Sequence, residues 1–137
     1  MQEGVFKALV SAGGKPSEWG VDDCGLWFAN AVRDALGFDP AEKYRGRYTT
    51  REGAHEVLGR GGLAFAFKAL AREHGWKRID PAEAQVGDPG LCILPISATE
   101  RAVTTMICRA PGWFVMRNEN GFTAVSHKAC RIAWSLG

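Results

Sequence analysis

The stretch that decides the fold is "WGVDDCGLWFANAV", residues 19–32. Two aspartates precede a cysteine, and an apolar run follows in which Leu26, Trp27, Phe28, Val32, Ala35 and Leu36 fall on one stripe at helical spacing. Asp22 or Asp23 can cap such a helix, because a short carboxylate accepts from the otherwise unpaired N–H groups of the first turn. Gly37 can close it in the left-handed conformation that a C-cap needs. The reading places Cys24 in the first turn of a helix spanning roughly residues 23–36.

Working outward, Val5, Phe6, Leu9 and Val10 predict a short helix over residues 2–11, ended by Gly13-Gly14 and Pro16. Downstream, "DPAEKYRGRYTT" reads as a turn and connector, "TREGAHEVL" as a helix capped by Thr50, and "LAFAFKALAREHG" as a further helix ending at Gly75. From Trp76 the pattern changes. "LCILPI", "AVTTMICRA", "GWFVMR", "GFTAV" and "CRIAWSL" are short β-type runs separated by Gly, Pro and Asn, with "APGW" and "NENGF" as hairpin turns. Helices followed by strands predict an α+β fold, an N-terminal helical half packed on a C-terminal antiparallel sheet or small barrel.

The chain of 137 residues has no repeat and no linker, so it reads as one domain over 1–137. With 46% hydrophobic and 23% charged residues it has ordinary globular composition. Seventeen basic and 15 acidic residues leave a net charge of +2, too balanced to indicate a nucleic-acid partner. No run approaches the roughly 18 apolar residues of a membrane span, and "MQEGVFKALVSAGG" lacks the pattern of a signal peptide. Synthesis and folding in a cytoplasm are expected.

Four cysteines, at 24, 92, 108 and 130, form no CxxC and read as reduced thiols. A helix N-terminus favours a thiolate at Cys24, whereas the carboxylates of Asp22 and Asp23 oppose it. A nucleophile and a small buried thiol are both open there. His127 and Cys130 in "SHKAC" do not make a metal site, since residues three apart on a strand face opposite ways. "EKYRGRYTTR" is open to three uses: a solvated connector with inward tyrosines, a phosphate- or base-binding segment, or a docking surface rich in Arg and Tyr. Five tryptophans suit core packing, with a groove of Trp19 and Trp113 beside Cys24 as the functional alternative.

The order Asp-Cys-Gly opening a helix, then "VGDPG" feeding a strand, then a hairpin, resembles the NlpC/P60 group of papain-like cysteine peptidases, which cleave cell-wall peptides. The resemblance covers roughly residues 15–135. It implies that Cys24 matches the nucleophile and Gly87-Asp88 the turn before the first barrel strand. "DCGLWFANAV", "YRGRY", the "GG" before the last helix, "VGDPG" and the final "RIAW" look more closely like small members of this superfamily encoded with phage and prophage tails. That resemblance implies synthesis in a host cytoplasm, residence in a virion tail, and tail hub or tip proteins as partners.

The departure from the group lies on the strand after the Gly-Asp strand. Where the group carries its base histidine, this chain reads "AVTTMICRA" and offers Thr104 or Thr105. Threonine cannot deprotonate a thiol at neutral pH. His55 and His74 fall in predicted helices as solvated side chains. His127, 39 residues past Asp88, stands near where the group places its third, orienting residue. Two functions follow. One is a structural tail protein with this fold and no working base. The other is an active peptidase or amidase opening peptidoglycan peptides during infection, with Cys24 attacking and His127 or another group as base. Neither needs a cofactor or a metal.

Overall fold

A computed structural model describes residues 16–95, 98–99, 101–118 and 121–136. The helix expected over residues 2–11 lies outside the described residues. Among the described residues three α-helices come first: α1 (Cys24–Leu36), α2 (Arg51–Leu58) and α3 (Gly62–Glu73). Six strands follow: β1 (Lys77–Ile79), β2 (Pro89–Pro95), β3 (Arg101–Ala110), β4 (Trp113–Asn118), β5 (Gly121–Ser126) and β6 (Cys130–Ser135). They form one antiparallel sheet in the order β1-β6-β2-β3-β4-β5.

Local chemistry sets the helix ends. Asp23 caps α1, its side chain accepting from the Leu26 N–H, and Gly37 closes the helix at φ 81° with its N–H on the Arg33 carbonyl. Thr50 caps α2 by accepting from the Gly53 N–H. Both hairpins expected in the strand half form, β3 turning into β4 at Pro111-Gly112 and β4 pairing with β5 from Trp113↔Ser126 to Asn118↔Gly121.

Strand β1 was not evident from the sequence. Lys77 and Arg78 are exposed, and this three-residue edge strand is defined by backbone pairing with Ser135, Trp134 and Ala133 of β6.

The strand runs bury both faces. Leu91, Ile107, Val115 and Trp134 point toward the helices and pack with Trp27, Phe28, Ala31, Val32 and Phe67. Their neighbours Cys92, Met106, Cys108, Phe114 and Met116 point the other way, into a second cluster with Ala84, Cys130 and Ala133. Alternation of side chains along a strand produces the two sets, and burial of both explains why the runs read as nearly continuous apolar sequence.

Ile79 on β1 and Val125 on β5 both pack on the second cluster although their strands are the two ends of the sheet. The sheet therefore curls around that cluster. No β1–β5 pairing closes it among the described residues, so the architecture is α+β with a curled sheet. The helix-side cluster, meanwhile, seats α1 across the middle of the sheet and sets Cys24 against β3.

Candidate functional site

The segment before α1 is folded by its own carboxylates. Asp23 is 5% exposed, and its Oδ2 accepts from the Gly20 N–H at 3.0 Å and from the Tyr48 hydroxyl at 2.8 Å, while Oδ1 caps Leu26 at 3.1 Å. Gly20 takes φ +86°, and a Cβ there would collide with the Tyr48 carbonyl oxygen. Glycine at this position thus lets the connector lie directly on the turn. Burial, followed by the bond to Asp23, pushes the Tyr48 phenol far above its ordinary range, so it remains a donor.

Asp22 serves a different partner. Its Oδ1 accepts from the Glu18 N–H at 2.8 Å and its Oδ2 from Arg117 Nη2 at 2.9 Å. The Arg117 side chain is only 1% exposed and also donates to the Pro16 and Gly121 carbonyls, at 3.2 and 3.0 Å. Its guanidinium lies 5.0 Å from the centre of the Phe122 ring, which in turn meets Trp27 edge-on. Arg117 thereby ties the β4–β5 hairpin to the turn that presents Cys24.

The half-buried Cys24 sits at the junction of α1 and β3. Thr105 is 1% exposed and donates its hydroxyl to the Cys24 carbonyl at 2.5 Å. Burial raises the Cys24 thiol above its ordinary range; hydrogen bonds from Thr105 and Gly25 offset part of this, and the Asp23 charge adds to it. A raised thiol pKa leaves the sulfur protonated at neutral pH. Burial and the Asp23 charge thus work against the stabilisation that a helix N-terminus offers a thiolate.

The structure brings Thr105, of the two threonines considered, to Cys24. It does not bring a histidine there. His55 is exposed on α2, and His74 stacks on Phe38 with ring centres 4.2 Å apart. His127 starts a single-turn 3₁₀ helix (His127–Ala129), with its N–H on the Gly112 carbonyl at the β3–β4 turn. From Thr105 to Ala110, next to that turn, is about 17 Å of strand at the usual rise per residue. None of the three histidines is among the groups that shift the Cys24 thiol.

Gly87-Asp88 does form the turn before β2, and its role is structural. The Asp88 carboxylate accepts from the Gln85 N–H at 2.9 Å and the Leu136 N–H at 3.4 Å, fastening the C-terminal strand's exit to the turn. The pocket beside Trp113 is lined by Arg109, Ala110 and Ala124, and not by Trp19 or Cys24. In the connector both tyrosines pack inward on Leu26, Ala29 and Ala41. Arg45 forms a bidentate pair with Asp39 at 2.6 and 3.0 Å, while Arg47 stays exposed. Among the described residues no helix is long and apolar enough to cross a membrane, and no His/Cys/Asp/Glu group has the makings of a metal site.

Sequence reasoning missed Arg117 and the bond from Tyr48 to Asp23. Arg117 carries a usable signal, since a lone arginine inside "GWFVMR" must find a buried acceptor, and the Asp22-Asp23 pair was available.

The chain belongs to the family described as a domain of unknown function (DUF6950), which matches residues 2–136. No curated protein and no solved structure matches it.

Proposed function

We propose that this protein is a structural subunit of a phage or phage-like tail, an NlpC/P60-like domain whose cysteine site performs no peptide cleavage. One observation carries the non-catalytic part: the residue packed on Cys24 from β3 is Thr105, whose hydroxyl bonds the Cys24 carbonyl, with each of the chain's three histidines placed elsewhere. A cysteine attacks an amide only when a nearby base or a lowered pKa supplies thiolate, and here burial and Asp23 work against it. The polar contacts around the site instead assemble its frame, with Asp23 holding the cap and the Tyr48 phenol and Asp22 holding Arg117.

The tail setting is supported by "DCGLWFANAV", "YRGRY", "VGDPG" and "RIAW", the stretches similar to small tail-encoded members of that superfamily. The partners proposed are other hub or tip proteins, and the exposed Arg47 and Lys43 of the connector are the side chains on offer there.

The test is Cys24→Ala introduced into the particle-producing genome. The expected result is particles with normal protein content and infectivity, and purified protein that releases no fragments from peptidoglycan. Loss of infectivity in intact particles, together with peptidoglycan cleavage by the wild-type protein and none by the variant, would establish the peptidase reading instead. Absence of the protein from purified particles would refute the tail assignment.

A further inference from the structure

The second core cluster holds three of the four cysteines, Cys92, Cys108 and Cys130, together with Met106 and Met116. Their thiols take no part in the Cys24 site, which lies on the other side of the sheet. Cys92 on β2 and Cys130 on β6 are direct register partners across an antiparallel pair and share one face of the sheet. Such partners have Cα atoms about 4.5–5.5 Å apart, inside the roughly 4.4–6.8 Å that a disulfide spans.

The Cys130 sulfur at present leans over Gly90, the residue two before Cys92 on the same face. A Cβ at Gly90 would stand 2.6 Å from it. The missing side chain leaves the sulfur room beside β2. Cys108 lies on β3, which β2 separates from β6, and its thiol donates to the Ala110 carbonyl at 3.2 Å and is directed also to that of Ala84 at 3.6 Å, as the Cys130 thiol donates to the Ile132 carbonyl at 3.2 Å.

We propose that Cys92 and Cys130 form a reversible cross-strand disulfide when the folded protein meets an oxidant of the small-disulfide class, with Cys108 remaining a thiol. Cys130 reacts first, since it is 7% exposed while Cys92 and Cys108 are at 0%. Its thiol loses a proton to solvent and the thiolate attacks the oxidant's S–S bond, releasing one small thiol and leaving a mixed disulfide. Cys92, deprotonated in turn, attacks the Cys130 sulfur and releases the second small thiol. Two protein thiols thus lose two protons and two electrons, and the oxidant's S–S bond is reduced to two thiols. The bond staples β6 to β2 at the bulge where their register shifts, between Leu91 and Cys92.

The experiment is to incubate folded protein with the disulfide of 2-mercaptoethanol, trap remaining thiols by alkylation, and map linkages by mass spectrometry. The expected result is a Cys92–Cys130 linked peptide that disappears on reduction. It should persist in Cys108→Ala and in Cys24→Ala, and the melting temperature should rise on the order of 10 °C. Linkage through Cys108, a stable mixed disulfide at Cys130, or no protein disulfide while the chain remains folded would each overturn the proposal. Because wild-type protein gives the decisive map, misfolding of a variant cannot rescue it.

Discussion

Two thiol environments lie on either side of the sheet, and they differ less than their settings suggest. Cys24 opens a 13-residue helix beside two carboxylates and a threonine hydroxyl, where partial charges abound. Cys108 and Cys130 sit among methionines and phenylalanine, where their partners are main-chain carbonyls. In all three the thiol is raised, and in all three burial is the leading cause. Desolvation and a neighbouring carboxylate thus oppose the thiolate that a helix N-terminus favours. What distinguishes Cys24 is the polar frame around it, and that frame is spent on holding the turn.

The largest effect is expected from breaking the frame. Arg117→Ala removes a guanidinium that is 1% exposed and leaves Asp22 and the Pro16 and Gly121 carbonyls without it. Removal of one member of a buried pair costs about 3 kcal/mol or more. Urea unfolding should show that loss, with Cys24 alkylated faster as the turn loosens. Unchanged stability would mean that the frame does not depend on Arg117.

Alkaline pH probes the other side of the sheet. Burial lifts Cys108 and Cys130 from an ordinary thiol value of 9.0 to about 11. A folded-state pKa above the unfolded value means that the native state holds its proton longer. Their contribution is therefore fully present below about pH 9 and is lost as pH climbs from there toward 11. The slope is about 1.4 kcal/mol per pH unit for each thiol. Equilibrium unfolding at pH 8, 9 and 10 should show that decline, reduced in Cys108→Ala after allowance for the cavity. A flat profile would contradict the desolvation argument.

A smaller change sharpens the contrast at Cys24. Asp23→Asn keeps one acceptor oxygen for the Leu26 cap, turns an NH2 toward the Gly20 N–H and the Tyr48 hydroxyl, and deletes the charge that helps raise the thiol. Stability should fall by about 1–2 kcal/mol as the Gly20 N–H loses its acceptor, and alkylation of Cys24 at pH 7.5 should quicken a few-fold. The smallest effect is expected at the connector. Arg45→Ala breaks a partly exposed bidentate pair with Asp39 and should cost about 0.5–1 kcal/mol in thermal unfolding, whereas Arg47→Ala should cost nothing measurable.

Much of this architecture was legible in the sequence because its signals are local. The Asp23 cap, the stripe from Leu26 to Val32 and the Gly37 stop define α1 within 15 residues, and Gly or Pro punctuates most of the strands. Strand β1 was not legible because Lys77 and Arg78 carry no apolar pattern, and only pairing with distant β6 defines it. At the site, chain order pointed to Cys24 and narrowed its β-strand neighbour to two threonines. Which of them faces the helix depends on the register of β3, and that set Thr105 against the Cys24 carbonyl. The bonds from Arg117 to Asp22 and from Tyr48 to Asp23 span 95 and 25 residues, a separation at which single-sequence patterns say nothing of pairing. His127 was placed by its position in the chain alone, and the β3–β4 turn holds it beside Gly112.

The most direct measurement is the rate of Cys24 alkylation by iodoacetamide as a function of pH, followed by mass spectrometry in the folded wild-type protein and in Thr105→His. In the wild type the rate should be slow at pH 7 and rise with a midpoint above the free-thiol value of about 8.5. Thr105→His, which sets an imidazole against the sulfur, should bring the midpoint down by at least about one unit and speed the reaction at pH 7 several-fold. Fast alkylation of wild-type Cys24 at pH 7, with a midpoint well below 8 that shifts upward in His127→Ala, would contradict the account, because it would show that a base reaches this thiol after all.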